Sequence, residues 1–480
     1  MSEAEKNVAA VDEPALTQLG DFAEDAFSRA AGAPLIHGNR VSLLKDAREN
    51  YPAWLDAIRS AQRCVHLESY YVCDDDTGRG FADVLSAKAR EGVTVRVLYD
   101  WFGNIGNGSR SFWQALRAAG ADIRGYNPPR VESPFAWVSR DHRKMLAVDG
   151  QTGFVTGMCI GASWAGDPEK QLEPWRDTGV EIQGPAVAAM ERAFARTWAL
   201  CGDPLPRDEV ATTPGKAGSI SVRIVASEPA TAGMLRLDQL VAALASSRLW
   251  LTDAYYAGTS SYVQALRAAA QDGIDVRLLL PNATDIPLLQ PLSRSGYRPL
   301  LEAGVRIFEW NGAMLHAKTA VADGSWARVG STNLNVASWL GNCELDAVVE
   351  DAQFAQQMEE MYLEDLENAT EIVLDTKRRM RMPGGRSPRP RSAGRRRARA
   401  SRAAAGALRI GRAIGAAFTN RRVLGAVEAR LTTLSGVLLL ALAASFAFFP
   451  RALAYPLSAL VAWAGIALLY RGYRLWSKGR

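Results

Sequence analysis

Histidine and cysteine are scarce in this chain of 480 residues, which contains four histidines and five cysteines. The cysteines are odd in number and form no CxxC pair, so the sequence predicts neither a disulfide framework nor a zinc site and favours a reducing compartment. No carboxylate, His or Cys cluster has the spacing of a ligand set, so we expect no metal and no cofactor. The opening residues, MSEAEKNVAAVDEP, lack the apolar run of a secretory signal, and we expect none.

Acidic residues are almost absent from the last part of the chain. Residues 377–480 contain 22 Lys and Arg and a single acid, Glu428. Residues 1–376 instead contain 34 Lys and Arg against 50 Asp and Glu, a net charge of −16. Because duplex nucleic acid is bound by a basic face beside the site, an acidic body with a basic arm disfavours a nucleic-acid partner.

Two long uncharged runs stand near the end, at 431–450 and 452–470, separated only by Arg451. About 20 apolar residues in a helix cross the hydrocarbon layer of a bilayer. We therefore predict a two-span membrane hairpin over 431–470, with a buried hairpin of a soluble domain as the alternative. Since basic residues crowd both outer ends, both ends and the body are expected on the cytoplasmic side.

The segment between body and hairpin, 377–430, is rich in Arg, Pro, Gly and Ser. Such a composition cannot form a packed core and is typical of a disordered linker. The stretch AAAGALRIGRAIGAAF within it can form a small amphipathic helix lying on a membrane. We expect this arginine-rich linker to bind an anionic membrane surface, and a solvated linker without a binding role is the alternative.

The body contains an internal repeat. SAQRCVHLESYYV (60–72) corresponds to SSRLWLTDAYYAG (246–258), and HRKMLAVDG (142–150) corresponds to HAKTAVADG (316–324). Each copy alternates β-branched or aromatic runs with helical periodicity, which predicts a layered α/β fold. The predicted segments are a disordered N-terminus (1–36), a first repeat (37–205), a linker (206–222), a second repeat (223–376), the basic linker (377–430), the hairpin (431–470) and a basic cytoplasmic tail (471–480).

The doubled segment carries a histidine, a lysine two residues later and an aspartate five beyond it. A chance double match in a chain with so few histidines is negligible. Because side chains alternate along a strand, His142 and Lys144 share one face, as do His316 and Lys318. The paired tyrosines that precede each motif in the repeat, at 70–71 and 255–256, are candidates to line a cleft, with a core position as the alternative.

These motifs resemble the paired signatures of the phospholipase D superfamily. RDHRKMLAVDG, WRDTGVEIQGPAV and MLHAKTAVADGSWARVGSTNL are most similar to those of its bacterial cardiolipin synthases. The resemblance implies two α/β/α sandwich repeats about a pseudo-twofold axis that bring both histidines to one phosphate. It implies a site at a bacterial cell membrane and the catalytic residues His142, Lys144, Asp149, His316, Lys318 and Asp323.

The same resemblance assigns supporting residues. Glu344 in the second half and Asp177 in the first are the expected histidine-orienting carboxylates, and Asp149 and Asp323 are better suited to turns and packing than to proton transfer. The expected phosphate-binding positions are Thr156, Gly157 and Cys159 in the first half and Gly330, Ser331 and Asn333 in the second. Cys159 departs from the family pattern, which has an asparagine there, and Asn335 replaces the usual aspartate.

The implied activity is transfer of a phosphatidyl group between phospholipids, such as phosphatidylglycerol or phosphatidylethanolamine, through a phosphohistidine. A neutral imidazole can attack the phosphate while a second, protonated imidazole donates a proton to the leaving alkoxide, and the lysines stabilise the equatorial oxygens. We expect His142 to be the nucleophile, by resemblance. The alternatives are a phospholipase D that releases phosphatidic acid, a membrane-tethered nuclease and a non-catalytic scaffold that binds anionic lipid.

Overall fold

The computed structural model describes residues 24–129, 138–206, 209, 213–286, 289–374 and 421–423, with single positions between 437 and 466. Among these residues, no helix combines the length and apolar character needed to cross a bilayer. Most of the predicted basic linker and of the predicted hairpin lies outside the described residues, as does the tail at 471–480.

The first half of the body follows a short helix, α1 (24–31). Its elements are β1 (Ile36–Lys45), α2 (Asp46–Ser60), β2 (Cys64–Ser69), α3 (Asp76–Arg90), β3 (Thr94–Asp100), α4 (Arg110–Ala118), β4 (Asp122–Tyr126), β5 (Met145–Val148), β6 (Thr152–Thr156), α5 (Ala162–Ala165), β7 (Thr178–Gln183) and α6 (Val187–Leu200).

The second half repeats this order with one additional helix and one additional strand, and with a π-helix in the place of α5. Its elements are β8 (Ile220–Ser227), α7 (Gly233–Leu244), β9 (Arg248–Thr252), α8 (Ser260–Gln271), β10 (Asp275–Pro281), α9 (Leu289–Ser295), α10 (Tyr297–Ala303), β11 (Arg306–Trp310), β12 (Thr319–Ala322), β13 (Trp326–Gly330), a π-helix (Ala337–Gly341), β14 (Glu344–Glu350), α11 (Ala352–Glu367) and β15 (Ala369–Val373). A three-residue strand, β16 (Arg421–Val423), lies parallel to β15.

Local sequence explains where several helices begin. Asp75, Ser109, Thr259 and Asp351 each precede a helix, and each side chain accepts a hydrogen bond from the backbone amide three residues later. Such caps satisfy amide groups that the first turn leaves without an intrahelical partner. These caps fix the start of α3, α4, α8 and α11 on the strand-to-helix connections.

The strands form one sheet whose order is mirrored about its centre. Reading outward from the β1–β8 pair, one side has β7, β6, β5, β2, β3 and β4, and the other has β14, β13, β12, β9, β10 and β11. Each strand of one half thus has its counterpart at the same distance from the centre. This order confirms two α/β repeats, and their antiparallel junction is at β1 and β8.

Helices cover both faces of each half-sheet. One apolar cluster lies beneath α2, α3 and α4, and a second beneath α7, α8 and α10. A third, central cluster includes buried side chains of α6 and α11 together with strands of both halves. Because this core is shared, the two repeats pack as one body.

Two boundaries differ from the sequence prediction. Residues 24–31, placed in a disordered N-terminus, are helical, and the Arg223 guanidinium donates to Glu24 and to the hydroxyl of Ser28. Arg223 is fully buried, and its charge is paired with Glu24 of α1 and with Glu350. The strand β8 begins at Ile220, inside the predicted 206–222 linker.

Candidate active site

The two motif segments cross from one half of the body to the other. The segment entering β5 forms a parallel bridge between Asp141 and Cys343, and the His142 amide donates to the Cys343 carbonyl at 2.9 Å. In the second copy, Leu315 bridges Arg176, and the His316 amide donates to the Arg176 carbonyl at 2.7 Å. Each histidine is therefore held against the residue that precedes the candidate carboxylate of the opposite half.

The His142 ring is held by a carboxylate from the second half. Its Nδ1 lies 2.9 Å and 3.1 Å from the two oxygens of Glu344, which is fully buried. Glu344 also accepts hydrogen bonds from Ser331 at 2.6 Å and Asn342 at 3.2 Å. Burial lowers the pKa of His142, while Glu344 opposes that shift by favouring the imidazolium.

The His316 ring is held by a carboxylate from the first half. Its Nδ1 lies 2.8 Å from Asp177, which also accepts a hydrogen bond from the Trp164 indole at 3.0 Å. Burial and the neighbouring Lys318 ammonium lower the pKa of His316 to about 3. The sequence assigned one carboxylate to each half, and the structure pairs each with the histidine of the other.

Both carboxylates have a lowered pKa in spite of their burial. Burial by itself raises the pKa of Glu344, but the charges of His142 and Lys144 and the hydrogen bond to His142 bring it below its usual value. The same balance holds for Asp177, where His316 and Lys318 outweigh burial. Each carboxylate is therefore ionised and can fix the tautomer of its histidine by accepting from Nδ1.

The two motif lysines are buried beside their histidines. Lys144 donates to the carbonyl of His142 at 2.7 Å, and its Nζ lies 5.2 Å from the Tyr70 ring centre. Lys318 donates to the carbonyl of His316 and lies 2.9 Å and 3.0 Å from the two ring nitrogens of that residue. Burial lowers the pKa of Lys144, and it lowers the pKa of Lys318 to about 8.

One cavity of about 410 Å³ receives both histidines. Among the residues expected from sequence, it is lined by His142, Lys144, Cys159, His316 and Asn333, together with Tyr70, Tyr71 and Tyr255. Asn335, which replaces the usual aspartate of the family, also lines it. Other lining residues carried no sequence signal of their own, and they include Arg140, Trp164, Trp175, Asp285 and Asn342. Trp164 and Trp175 make aromatic contacts with the His316 ring, with centroids 5.3 Å and 5.7 Å away. They could have been suspected only from their closeness in sequence to Asp177.

The six expected phosphate-binding residues separate into two groups. Cys159 and Asn333 line the cavity. Thr156 and Ser331 lie behind it: the Thr156 hydroxyl donates to the Thr178 carbonyl at 3.1 Å, and Ser331 donates to Glu344.

The two glycines of that set allow close packing against carboxylates. A Cβ on Gly157 would lie 2.3 Å from Asp177, and one on Gly330 would lie 2.3 Å from Asp346. These four residues support the site from behind, and none of them lines the cavity.

The motif aspartates lie at the far ends of β5 and β12, away from the histidines. Asp149 accepts hydrogen bonds from the backbone amides of 62, 63 and 64, and Asp323 accepts from those of 246, 247 and 248. Both have positive φ, 55° and 50°, and each is followed by a glycine that also has positive φ. The two aspartates thus tie the turn after the motif strand to the start of the neighbouring strand.

Two buried arginines beneath the histidines were missed by sequence reasoning. Arg143 donates to the carbonyls of Glu344, Ala193 and Ser227, so its fully buried guanidinium joins both halves. Arg176 forms a two-pronged contact with Asp365 at 2.8 Å and 2.9 Å. In the sequence, Arg143 follows His142 and Arg176 precedes Asp177, and this adjacency was the only hint of a role. Arginines are rarely buried, so the sequence alone favoured solvated side chains.

The described residues include one group with metal-ligand chemistry, although sequence spacing indicated none. Cys64, His66 and Glu191 are buried, with donor atoms within 4.8 Å of one another. His66 Nδ1 lies 2.9 Å from Glu191, a hydrogen-bond distance, and burial raises the pKa of Cys64 to about 12, which disfavours a thiolate ligand. His66 also stacks on Phe194, so this group is best described as a hydrogen-bonded pair in the core.

Known proteins are similar to this chain in sequence or in fold. Cardiolipin synthase of Alkalihalophilus pseudofirmus is 32% identical over 350 residues, covering 71% of this chain and 68% of that protein. Cardiolipin synthase A of Pseudomonas fluorescens is 31% identical over 366 residues, covering 74% of each. The solved structure of phosphatidylserine synthase from Haemophilus influenzae matches with a TM-score of 0.58 at 16% identity, over 72% of this chain and 91% of that one, which is a likeness of fold.

The family model described as "Cardiolipin synthase, PLD-like domain" matches residues 54–198 and 240–366. Each matched segment contains one His-Lys-Asp motif, and together the segments supply the crossed histidine–carboxylate pairs. The chain therefore belongs to the cardiolipin synthase family with phospholipase D-like domains, and it is an enzyme of the phospholipase D superfamily.

Proposed function

We propose that this enzyme transfers a phosphatidyl group from one phospholipid to the hydroxyl of another molecule, making cardiolipin or a closely related phospholipid. The observation that carries the proposal is the pair of motif histidines at one cavity, each with Nδ1 engaged by a buried carboxylate. With Nδ1 engaged, Nε2 is the nitrogen that each ring can use in chemistry. Both cardiolipin synthases compared above support the choice of substrate class.

The reaction proceeds through two displacements at phosphorus. In the first, a neutral histidine attacks the phosphodiester, a nitrogen–phosphorus bond forms, and the bond from phosphorus to the leaving alcohol breaks. The other histidine gives its proton to the departing oxygen. In the second, the acceptor hydroxyl loses its proton to that same histidine, attacks phosphorus and displaces the first. Protons and charges balance, and both rings return to their starting states.

Lys144 and Lys318 neutralise the phosphate oxygens during both displacements. Their ammonium groups contact the backbone carbonyls of the two histidines, which holds one positive charge beside each ring. Charge accumulates on the equatorial oxygens in the transition state, and a buried cation stabilises that charge more strongly than an exposed one. Cys159 from the first half and Asn333 from the second also line the cavity.

Lipid analysis tests the proposal directly. Expression in bacterial cells that lack their own synthases should restore cardiolipin or a related diphosphatidyl lipid, and His142→Ala and His316→Ala chains should not. Unchanged lipid levels with the unsubstituted chain, at matched expression, would contradict the proposal. In a purified system, excess phosphatidic acid over transfer product in the presence of glycerol would instead assign hydrolysis.

We also propose that residues 431–470 hold the acidic body at the cytoplasmic face of a bacterial cell membrane, and that the arginine-rich linker binds anionic lipid heads. Removing 431–480 should release the chain from the membrane fraction. Removing 377–402 alone should weaken attachment to anionic vesicles and leave attachment to neutral vesicles unchanged. Equal loss on both vesicle types would contradict the role of the linker charge.

A further inference from the structure

Exposed apolar side chains are concentrated at one edge of the body. Among described residues 24–374, eleven large apolar side chains are exposed, and eight of them lie on segments at the edge where the histidines stand. These eight, which we call the collar, are Phe102, Ile105, Val138, Leu172, Ile286, Leu292, Val336 and Leu340. The other three, Leu200, Leu244 and Leu363, lie on α6, α7 and α11.

The collar follows from the strand order. Parallel strands β2, β3 and β4 end at the edge where β5 begins, and β9, β10 and β11 end where β12 begins. All the connections that leave this edge therefore surround the motif histidines. Exposed apolar residues are ordinarily scattered singly over a protein surface. Here most of them lie on the connections at one edge of the sheet.

The collar is continuous with the cavity. Ile286 and Val336 belong to the collar and also line the cavity, as does Leu289 on α9. None of the α9 residues is buried, although this helix carries two leucines. A helix in a soluble body normally buries its apolar side, but the described residues cover Leu289 only in part and leave Leu292 exposed.

We propose that the collar inserts into the interfacial layer of a phospholipid bilayer and places the cavity mouth against the lipid headgroups. This inference rests on the proposed function for its substrate, a lipid that resides in the bilayer. Arg140 supports this occupant, because it lines the cavity and its guanidinium lies 3.8 Å from the Phe102 ring centre. In the interfacial layer of a bilayer, a cation can contact the anionic headgroups while the neighbouring aromatic ring contacts the acyl chains.

Insertion would let a phosphodiester reach the histidines while its acyl chains remain in the membrane. Extracting a whole phospholipid would instead expose both chains to water, at a cost proportional to the apolar area uncovered. The collar would therefore act on lipids in a bilayer and be dispensable for short-chain lipids that dissolve as monomers. That difference separates a membrane-docking role from a structural one.

The kinetic experiment uses two triple variants of the full chain. Ile105→Ser, Leu292→Ser and Leu340→Ser alter collar residues that do not line the cavity, with exposures of 58%, 54% and 42%. Leu200→Ser, Leu244→Ser and Leu363→Ser form the control, with exposures of 65%, 55% and 44%. The collar variant should lose about tenfold or more in turnover of dioleoyl phosphatidylglycerol vesicles while keeping its turnover of monomeric dibutyryl phosphatidylglycerol. Equal effects of both variants, or equal losses on both substrates, would overturn the proposal.

A second measurement does not depend on turnover. A dye on Ile105→Cys should be quenched by lipids brominated near the headgroup, and a dye on Leu363→Cys should not, with the labelled unsubstituted chain correcting for native cysteines. Absence of quenching at Ile105 overturns the collar even if lipid synthesis is observed. Quenching without any lipid turnover leaves the collar standing and removes the proposed function. The dye could instead be shielded from solvent in proportion to protein concentration, without quenching by the brominated lipids. That result would assign the collar to contact with a second copy of the chain and would overturn membrane insertion.

Discussion

The two halves supply the same reagents but surround them differently. The His142 side chain is 12% exposed, and Lys144 lies against its backbone carbonyl and Tyr70. The His316 side chain is 5% exposed, and Lys318 contacts both of its ring nitrogens. Burial lowers the pKa of both histidines, and the Lys318 ammonium lowers that of His316 further, while Asp177 at His316 and Glu344 at His142 oppose the shift by favouring the imidazolium. Duplication of a motif thus preserves the reagents, while neighbouring residues give each copy its own protonation behaviour.

Removing either motif histidine should cause the largest loss of activity. His142→Ala and His316→Ala should each lose about a thousandfold or more in kcat/KM, because attack and leaving-group protonation are both needed. They should differ with a p-nitrophenyl phosphodiester, whose leaving group needs no proton. Mass spectrometry should then locate a phosphohistidine on His142 in the His316→Ala chain and none in the His142→Ala chain. A phosphohistidine on His316 would reverse the assignment and keep the two-step reaction.

Neutralising a carboxylate should affect the histidine of the opposite half. Glu344→Gln should lower kcat/KM by about a hundredfold or more, since the ring it orients loses its tautomer preference. Adduct formation on His142 should be slowed in Glu344→Gln, whereas Asp177→Asn should still form the adduct, as His316→Ala does. Steady-state kinetics together with adduct trapping measure both effects. Pairing within each half, with Glu344→Gln resembling His316→Ala, would refute the crossed arrangement.

Titration of Lys318 should appear in the alkaline limb of the pH profile. Its pKa is lowered to about 8, so the charged form is lost as pH rises through that value. In kcat/KM, which reports the free enzyme, activity should fall above that pH by about tenfold per pH unit for one proton. Lys318→Arg should move this limb to higher pH, and Lys144→Arg should leave it in place. An unmoved limb in Lys318→Arg would assign the titration to another group.

The smallest effect on chemistry should come from the motif aspartates. Asp149→Ala and Asp323→Ala each remove hydrogen bonds to three backbone amides and should lower the free energy of unfolding by about 1–3 kcal/mol. At a temperature where both variants remain folded, kcat should stay within about threefold of the unsubstituted enzyme. Thermal unfolding and kinetics on the same samples measure the two effects. A loss of kcat comparable to that of the histidine variants, without a loss of stability, would place these carboxylates in the reaction.

The repeat and the α/β fold could be predicted from sequence because they depend on local patterns, whereas the meeting of His142 and His316 at one cavity was implied by the family resemblance. Strand alternation, for example, places His142 and Lys144 on one face. The crossed pairing of Glu344 with His142 could not be predicted, since it depends on the backbone bridge at Cys343. The contact of Ser331 with Glu344 could not be predicted either, because it depends on the tertiary structure. Its position beside Asn333 suggests phosphate binding, but its hydroxyl is used by Glu344.

Arg143 shows a second limit of sequence reasoning. Besides the Thr197 hydroxyl, its hydrogen-bond partners are the backbone carbonyls of Ala193, Ser227 and Glu344, which lie 50, 84 and 201 residues away in the chain. Carbonyl acceptors leave no trace in side-chain pattern, so a buried guanidinium looks in sequence like any solvated arginine. The equivalent position in the second motif is Ala317, which shows that this joint was built into only one copy.

The crossed carboxylates also determine when the enzyme can become active during its synthesis. His142 is translated 202 residues before Glu344, the group that orients it, and Asp177 is translated 139 residues before His316. A ribosome that has completed the whole first repeat therefore carries a nascent chain with one unoriented histidine and one carboxylate without its partner. Neither premature termination nor release of a half-length product yields a fragment with a complete set of reagents. A chain in which both histidines have their carboxylate partners therefore exists only after translation has passed Glu344.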